Sequence, residues 1–360
     1  MRLVSMVVPI ARALAIGAGG GAIFHALDMP LAWMIGAAVF TTAATVGGAG
    51  LSMPPQLRAL MVAVLGVMLG SAFTPDLLAR AGEWLVTLSA LFVYATIVGV
   101  LSYVFFRRVG RYDPVTAFFS AAPGGLVEMT VTGAALGGDE RVISLVHTAR
   151  VLLIVLTVPF WFRFLDGYDA SRRAAADLSF TDIPPSELLV LVAIGAVGAL
   201  AARLCRIPAS YLIGPMIVSA LAHLVRISAF RPPHELVAIA QVVVGSAIGC
   251  RFTGIDIRKV LRTLLHAVAI TLIMLAGTVI FALTLHRLTS IGIPALVLAF
   301  APGGLAEMSL VALALATDAA FVSTHHVVRI IFVVIVAPIV FRVVNAGAAR
   351  RSLADARNQP

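Results

Sequence analysis

Glu128 and Glu307 stand in matching stretches of the chain. These are Ala122-Pro123-Gly124-Gly125-Leu126-Val127-Glu128-Met129 and Ala301-Pro302-Gly303-Gly304-Leu305-Ala306-Glu307-Met308. Further along each copy, Ser144, His147 and Arg150 are spaced by three, as are Ser323, His326 and Arg329. These residue types suit ion and solute chemistry. A carboxylate in a low-dielectric setting gains proton affinity and can alternate between charged and neutral forms, or hold a cation. An arginine fork suits a carboxylate or phosphate, and an imidazole can relay protons. The candidate substrate- or ion-binding residues are therefore Pro123, Gly124, Gly125, Glu128, Ser144, His147, Arg150, Pro302, Gly303, Gly304, Glu307, Ser323, His326 and Arg329. A plainer reading stands beside this one: the glutamates start helices and complement their dipoles, and the arginines neutralise the glutamates.

The elements that must position these groups follow from backbone chemistry. Proline removes a donor and clashes with the preceding turn, and two glycines lower the cost of leaving helical geometry, so a helix is expected to break at each triplet. Broken backbone at membrane depth is tolerated where protein buries it or where it lines a wet cavity. The start of the resuming helix then offers free N–H groups and a positive dipole end to an anion. Spacing by three places each Ser-His-Arg trio along one helical face. His325 has no partner in the first copy, where Val146 stands, and reads as incidental. Asp139 and Asp318 fall where helices begin and read as N-caps.

The repeat extends through the chain. At an offset of 179, 16 of the 41 positions from Pro123 to Arg163 are identical to Pro302–Arg342, which marks the halves as homologous. Upstream, Gly66, Gly70 and Phe73-Thr74 match Gly245, Gly249 and Phe252-Thr253. Near the start the offset becomes 178, pairing the stretch from Pro30 to Gly36 with that from Pro208 to Gly214. The expected organisation is a first membrane repeat over 1–165, a polar linker over 166–187, a second repeat over 188–344 and a polar tail over 345–360.

Composition sets the class. Hydrophobic residues make up 61% of the chain and charged ones 12%, with mean hydropathy +1.04, which describes an all-α polytopic membrane protein embedded in a lipid bilayer. Period-2 alternation of the barrel type is absent. The first apolar segment runs directly into a second, so the N-terminus reads as a span and not as a cleaved signal. Lys and Arg number 26 against 17 Asp and Glu, but most arginines sit at the ends of apolar segments, and no soluble stretch suits a nucleic-acid-binding domain. Cys205 and Cys250 lie far apart, so neither a disulfide framework nor a metal site is expected, and no cofactor is implied.

Six apolar segments per half are visible, near 7–27, 31–48, 57–73, 84–106, 115–136 and 141–165, and near 188–204, 209–225, 235–250, 260–285, 293–316 and 320–344. Loop charge bears on orientation. The loop after the fourth segment carries Arg107, Arg108 and Arg111 in the first half and Arg287 alone in the second. The loop before it carries Arg80 in the first half and Arg251, Arg258, Lys259 and Arg262 in the second. Opposite bias suggests inverted halves, which requires an odd number of crossings each. One segment per half is then short, re-entrant or peripheral, giving about ten crossings, twelve at most.

The repeated A-P-G-G-L-x-E-M and the P-x-x-x-x-I-G segments at Pro30 and Pro208 resemble the membrane AbrB family, distinct from the soluble DNA-binding protein of that name, over nearly the whole chain. Some members of the family carry the label of an ammonia monooxygenase and others that of a regulator of gene expression. A more distant resemblance is to bile acid/sodium symporters and their antiporter relatives, which also begin a broken helix with Pro-Gly-Gly. A Ser-Asn pair follows the glycines in that pattern. Here Glu128-Met129 and Glu307-Met308 occupy those places, so a sodium site does not carry over and protons become the natural coupling ion.

The reading that emerges is a multi-pass bacterial inner-membrane secondary transporter. It moves a small anionic or zwitterionic solute through a midplane site at the paired broken helices, driven by protons, and homo-oligomers are compatible with it. Two alternatives stay open: a membrane-embedded sensor that binds the same ligand without moving it, and, less favoured, a membrane monooxygenase, which needs a converging ligand cluster that the scattered histidines do not supply.

Overall fold

The computed structural model describes residues 2–75, 81–165, 178–254 and 257–357. Most of the expected linker, 166–177, lies outside them. Among the described residues there are fourteen helices and no strand. The first half holds α1 (Arg2–Ala26), α2 (Ala32–Val46), α3 (Pro55–Gly70), α4 (Trp84–Phe105), α5 (Pro114–Ala121), α6 (Leu126–Ala135) and α7 (Glu140–Leu165). The second holds α8 (Pro185–Leu204), α9 (Ser210–Leu224), α10 (His234–Cys250), α11 (Ile257–Leu288), α12 (Ile293–Phe300), α13 (Leu305–Ala314) and α14 (Ala319–Arg357), which continues into the expected C-terminal tail. Six helices are long and apolar enough to cross a membrane: α1, α4, α7, α8, α11 and α14. Their outward faces carry large apolar side chains such as Leu85, Val100, Leu189, Val192, Leu272 and Ile280, all more than half exposed, as a lipid-facing surface requires.

The segment 115–136, read as one interrupted span, is a helical hairpin. α5 and α6 are too short to cross singly, at 8 and 10 residues. The end of α6 returns to the start of α5: the Asp139 N–H donates to Thr116 Oγ1 at 2.8 Å, and a Cβ on Gly133 would lie 3.0 Å from that of Phe119. α12 and α13 pack on each other in the same way. Each hairpin comes back towards its own starting level, and five other apolar helices stand beside it in each half.

The halves exchange contacts as a two-fold axis demands. A Cβ on Gly66 of α3 would lie 2.6 Å from the Leu212 carbonyl of α9, and one on Gly245 of α10 would lie 2.3 Å from the Met34 carbonyl of α2. Gly124 at one hairpin tip faces Val333 of α14, and Gly303 at the other faces Ile154 of α7. Such close approach is open only to residues without a Cβ.

These contacts sort the helices into two bundles, each drawn from both halves. α1–α3 pack with α8–α10, and α4–α7 with α11–α14. Few contacts join the bundles, chiefly α3 against α13 and α14, and α2 against α7. The N-caps match the sequence reading: Asp139 Oδ1 accepts from the N–H groups of Arg141 and Val142, and Asp318 Oδ1 from that of Phe321. His325 is fully buried, with Nε2 2.9 Å from Thr87 Oγ1, and ties α14 to α4.

Candidate functional site

The repeated histidines answer a problem that the prolines create. In an α-helix the carbonyl of residue i accepts from the N–H of residue i+4. For Phe119 that residue is Pro123, and for Leu298 it is Pro302, neither of which has an N–H. His147 supplies the missing donor, with Nε2 2.8 Å from the Phe119 carbonyl, and His326 does the same at 2.9 Å from that of Leu298. A carbonyl can only accept, so the proton sits on Nε2 and Nδ1 is left as an acceptor. Nδ1 is filled by the next arginine: Arg150 Nη2 donates to His147 at 2.8 Å, and Arg329 Nη2 to His326 at 3.0 Å. Both rings are fixed as neutral clamps. The relay role open to them in sequence gives way to a structural one, because neither nitrogen is free.

Each arginine goes on to hold the hairpin turn. Arg150 Nη1 donates to the Ala122 carbonyl at 3.3 Å, and Arg329 Nη1 to that of Ala301 at 2.7 Å. Arg329 Nη2 also donates to the Gly303 carbonyl at 3.0 Å. The Ala122 and Ala301 carbonyls belong to the negative ends of α5 and α12, which a cation complements. Both arginines are 3% exposed, and in both the Nε–H is buried without a partner. No ion pair within 4.0 Å joins either arginine to Glu128 or Glu307, so direct neutralisation of the glutamates is not what holds them.

Beyond each turn the chain resumes as α6 or α13. The caps Gly125 and Gly304 are extended and no side chain caps either helix, which leaves first-turn N–H groups to other acceptors. Each glutamate folds back over its own cap glycine, so that a Cβ there would collide with the carboxylate. Glu128 Oε1 also accepts from the Ala209 N–H at 3.3 Å, a residue held in the left-handed region just before α9. That bond crosses from the hairpin-bearing bundle to the other.

Both tips open on one cavity of about 360 Å³ at the interface between the bundles. The hairpin-bearing side contributes Gly124–Glu128, Thr148, Arg150, Gly303–Glu307 and Arg329. The opposite side contributes Arg58 and Val62 of α3, Ala209–Leu212 at the start of α9, and Val244, Ile248 and Arg251 of α10 and its C-terminal cap. Four guanidiniums face two carboxylates, a formal surplus of two positive charges, and two uncapped helix starts add to the same sign. The cavity therefore carries a net positive lining.

Eight of the fourteen residues singled out from sequence line this cavity: Gly124, Gly125, Glu128, Arg150, Gly303, Gly304, Glu307 and Arg329. Pro123, Pro302, His147 and His326 stand behind it and shape it. Ser323 bonds Ser309 at 2.9 Å and ties α14 to α13, and Ser144 is half-buried away from the cavity. Arg251, counted from sequence among loop charges, lines the cavity instead. Arg58 joins it with no signal in the repeat pattern, and Tyr211 joins it from within the repeated Pro208–Gly214 segment. Among the described residues no three His, Cys, Asp or Glu side chains converge as a metal site would require.

The chain is similar to the "Uncharacterized protein YhjN" of Bacillus subtilis (strain 168), 29% identical over 357 residues and covering 92% of each chain. It is also similar to the "Putative regulator AbrB" of Escherichia coli (strain K12), 24% identical over 332 residues, with 91% of this chain and 94% of the relative covered. The family model described as transition state regulatory protein AbrB matches residues 33–345, which takes in α3–α13, most of α2 and of α14, and both hairpin tips. With the duplicated hairpins, their His-Arg clamps and a match over most of its length, the chain belongs to the AbrB family of membrane proteins.

Proposed function

We propose that the chain is a secondary transporter for a small anion, working in the bacterial inner membrane. The observation that carries this reading is the placement of Arg150 and Arg329: two-fold-related, buried, each with an unpaired Nε–H, at a cavity shared by two bundles that touch sparsely. Both side chains line the cavity, and the cost of holding their charge there is what an anion entering the cavity would offset. With two re-entrant hairpins the remaining apolar helices make five crossings per half, ten in all. An odd number per half inverts one relative to the other and lays the pseudo-two-fold axis in the membrane plane. Alternating access follows from the hairpin-bearing bundle moving against the other, with the cavity exposed to each side in turn. Glu128 and Glu307 line the same cavity and are the groups proposed to couple protons to transport.

The test is flux in proteoliposomes under an imposed pH gradient, across a panel of small anions, comparing wild type with the Glu128→Gln/Glu307→Gln double variant. Gradient-driven movement that the variant loses supports proton coupling through the carboxylates, and movement unchanged in the variant removes them from the mechanism. The word "regulator" in the name of one relative favours a second reading, in which the same cavity senses an anion without passing it. Saturable binding without flux would select that reading.

A further inference from the structure

The cavity's four arginines are of two kinds. Arg150 and Arg329 repeat at the 179-residue offset, whereas Arg58 and Arg251 do not: Val237 and Ala72 stand at the matching positions. The repeated pair belongs to the hairpin-bearing bundle and is engaged there, Arg150 through two hydrogen bonds and Arg329 through three, to hairpin carbonyls and histidines. The unrepeated pair belongs to the facing bundle and makes no side-chain hydrogen bond or ion pair to any described residue. The Arg58 charge nevertheless acts on Arg251, as does that of Glu307. Two forks that have no hydrogen-bond partner among the described residues thus line the cavity on that side. Both are half-buried, and bringing like charges together at a partly desolvated cavity is costly, a cost that an anion in the cavity reduces.

Building on the anion-transport reading, we infer that the cavity takes a small dianion with two separated anionic groups, such as a short dicarboxylate, one end held by Arg150, Arg329 and the uncapped starts of α6 and α13, the other by Arg58 and Arg251. The charges support this choice. A dianion cancels the formal surplus of two, whereas a monoanion leaves one positive charge uncompensated. The two ends also sit on different bundles, so a dianion contacts both at once and changes the free energy of their approach. A monoanion held by one bundle has no such differential hold. Arg58 and Arg251 are specificity residues in this scheme, and they select charge number.

The experiment measures equilibrium binding of succinate, butyrate and sulfate to the purified full-length protein in lipid nanodiscs. The proteins compared are wild type, Arg58→Gln/Arg251→Gln and the charge-conserving Arg58→Lys/Arg251→Lys. Butyrate matches succinate in carbon count with one charge fewer, and sulfate carries two charges at one centre. Wild type is expected to bind succinate about 10- to 100-fold more tightly than butyrate, the worth of one charge-assisted hydrogen-bonded end. The Gln variant should lose more affinity for succinate than for butyrate, so that the preference falls to within about 2-fold of parity, and the Lys variant should keep most of it. Succinate and butyrate binding equally, or a preference that survives in the Gln variant, overturns the two-ended site and leaves the anion reading standing. Sulfate matching succinate in wild type also overturns it, because one centre would then suffice. Failure of all three probes to bind overturns both readings.

Discussion

The two His-Arg clamps differ in one bond, and that difference predicts unequal costs for the same substitution. Replacing His147 by Leu keeps the volume close but strands the Phe119 carbonyl, which Pro123 cannot serve, at about 1–3 kcal/mol for a buried unpaired acceptor. It also removes the only partner of Arg150 Nη2, a charge-assisted bond worth about 1.5–3 kcal/mol. The expected destabilisation is roughly 3–5 kcal/mol. His326→Leu strands the Leu298 carbonyl in the same way, but Arg329 Nη2 keeps the Gly303 carbonyl at 3.0 Å, so the expected cost is about 1–3 kcal/mol. Reversible unfolding of the purified protein in mixed micelles, followed by circular dichroism against denaturing-detergent fraction, reads both values. Equal losses or a larger loss for His326→Leu would refute the cost assigned to the stranded Arg150 Nη2, and losses below about 0.5 kcal/mol for both would refute the clamp account as a whole.

Other expectations follow from single contacts. Gly36→Ala and Gly214→Ala would set a Cβ 2.2 Å and 2.1 Å from the backbone oxygens of Gly20 and Gly198, so each should lower stability by about 1–3 kcal/mol or prevent folding. Gly19→Ala in α1 meets nothing within 4 Å and should raise stability by up to about 1 kcal/mol, which thermal unfolding of the three variants in parallel would show. Asp139→Ala removes the acceptor for two N–H groups at the start of α7 and should cost about 1 kcal/mol by the same assay. Asp113, which caps α5 outside the membrane spans, is raised by partial burial but lowered more by hydrogen bonds from Thr116 and Val115, so its carboxyl lies below the usual carboxylate range. A depressed folded-state value means that its contribution is present above the unfolded value and is lost as pH falls through the folded one. Asp113→Ala should therefore cost roughly 0.5–1 kcal/mol at neutral pH, discounted for exposure, and little in strong acid.

Much of the site was legible in the chain itself because it was written twice. The Pro-Gly-Gly triplets marked both hairpin tips, the offset tied His147 to His326 and Arg150 to Arg329, and the parity of inverted halves called for a segment that does not cross. What the histidines do was half visible: Pro123 and Pro302 announce orphaned carbonyls four residues earlier. Which side chain meets those carbonyls depends on how α7 packs against α5, and spacing along one helix does not carry that information. Arg58 and Arg251 escaped for a different reason. They lack counterparts in the repeat, and a basic residue near a helix end looks the same whether it faces a loop or a cavity. The cavity joins two bundles that each mix both halves, so it had no contiguous signature in sequence.

Uptake tests the central claim most directly. Proteoliposomes holding wild type, Arg150→Lys/Arg329→Lys or Arg150→Gln/Arg329→Gln would be offered radiolabelled small mono- and dicarboxylates under an inward pH gradient, with folding checked by size-exclusion profile. The account predicts that wild type accumulates at least one of these anions and that the folded Gln variant does not, with the Lys variant in between. An anion that binds wild type saturably but never accumulates, or accumulation unchanged when both arginines are replaced by Gln, would contradict it.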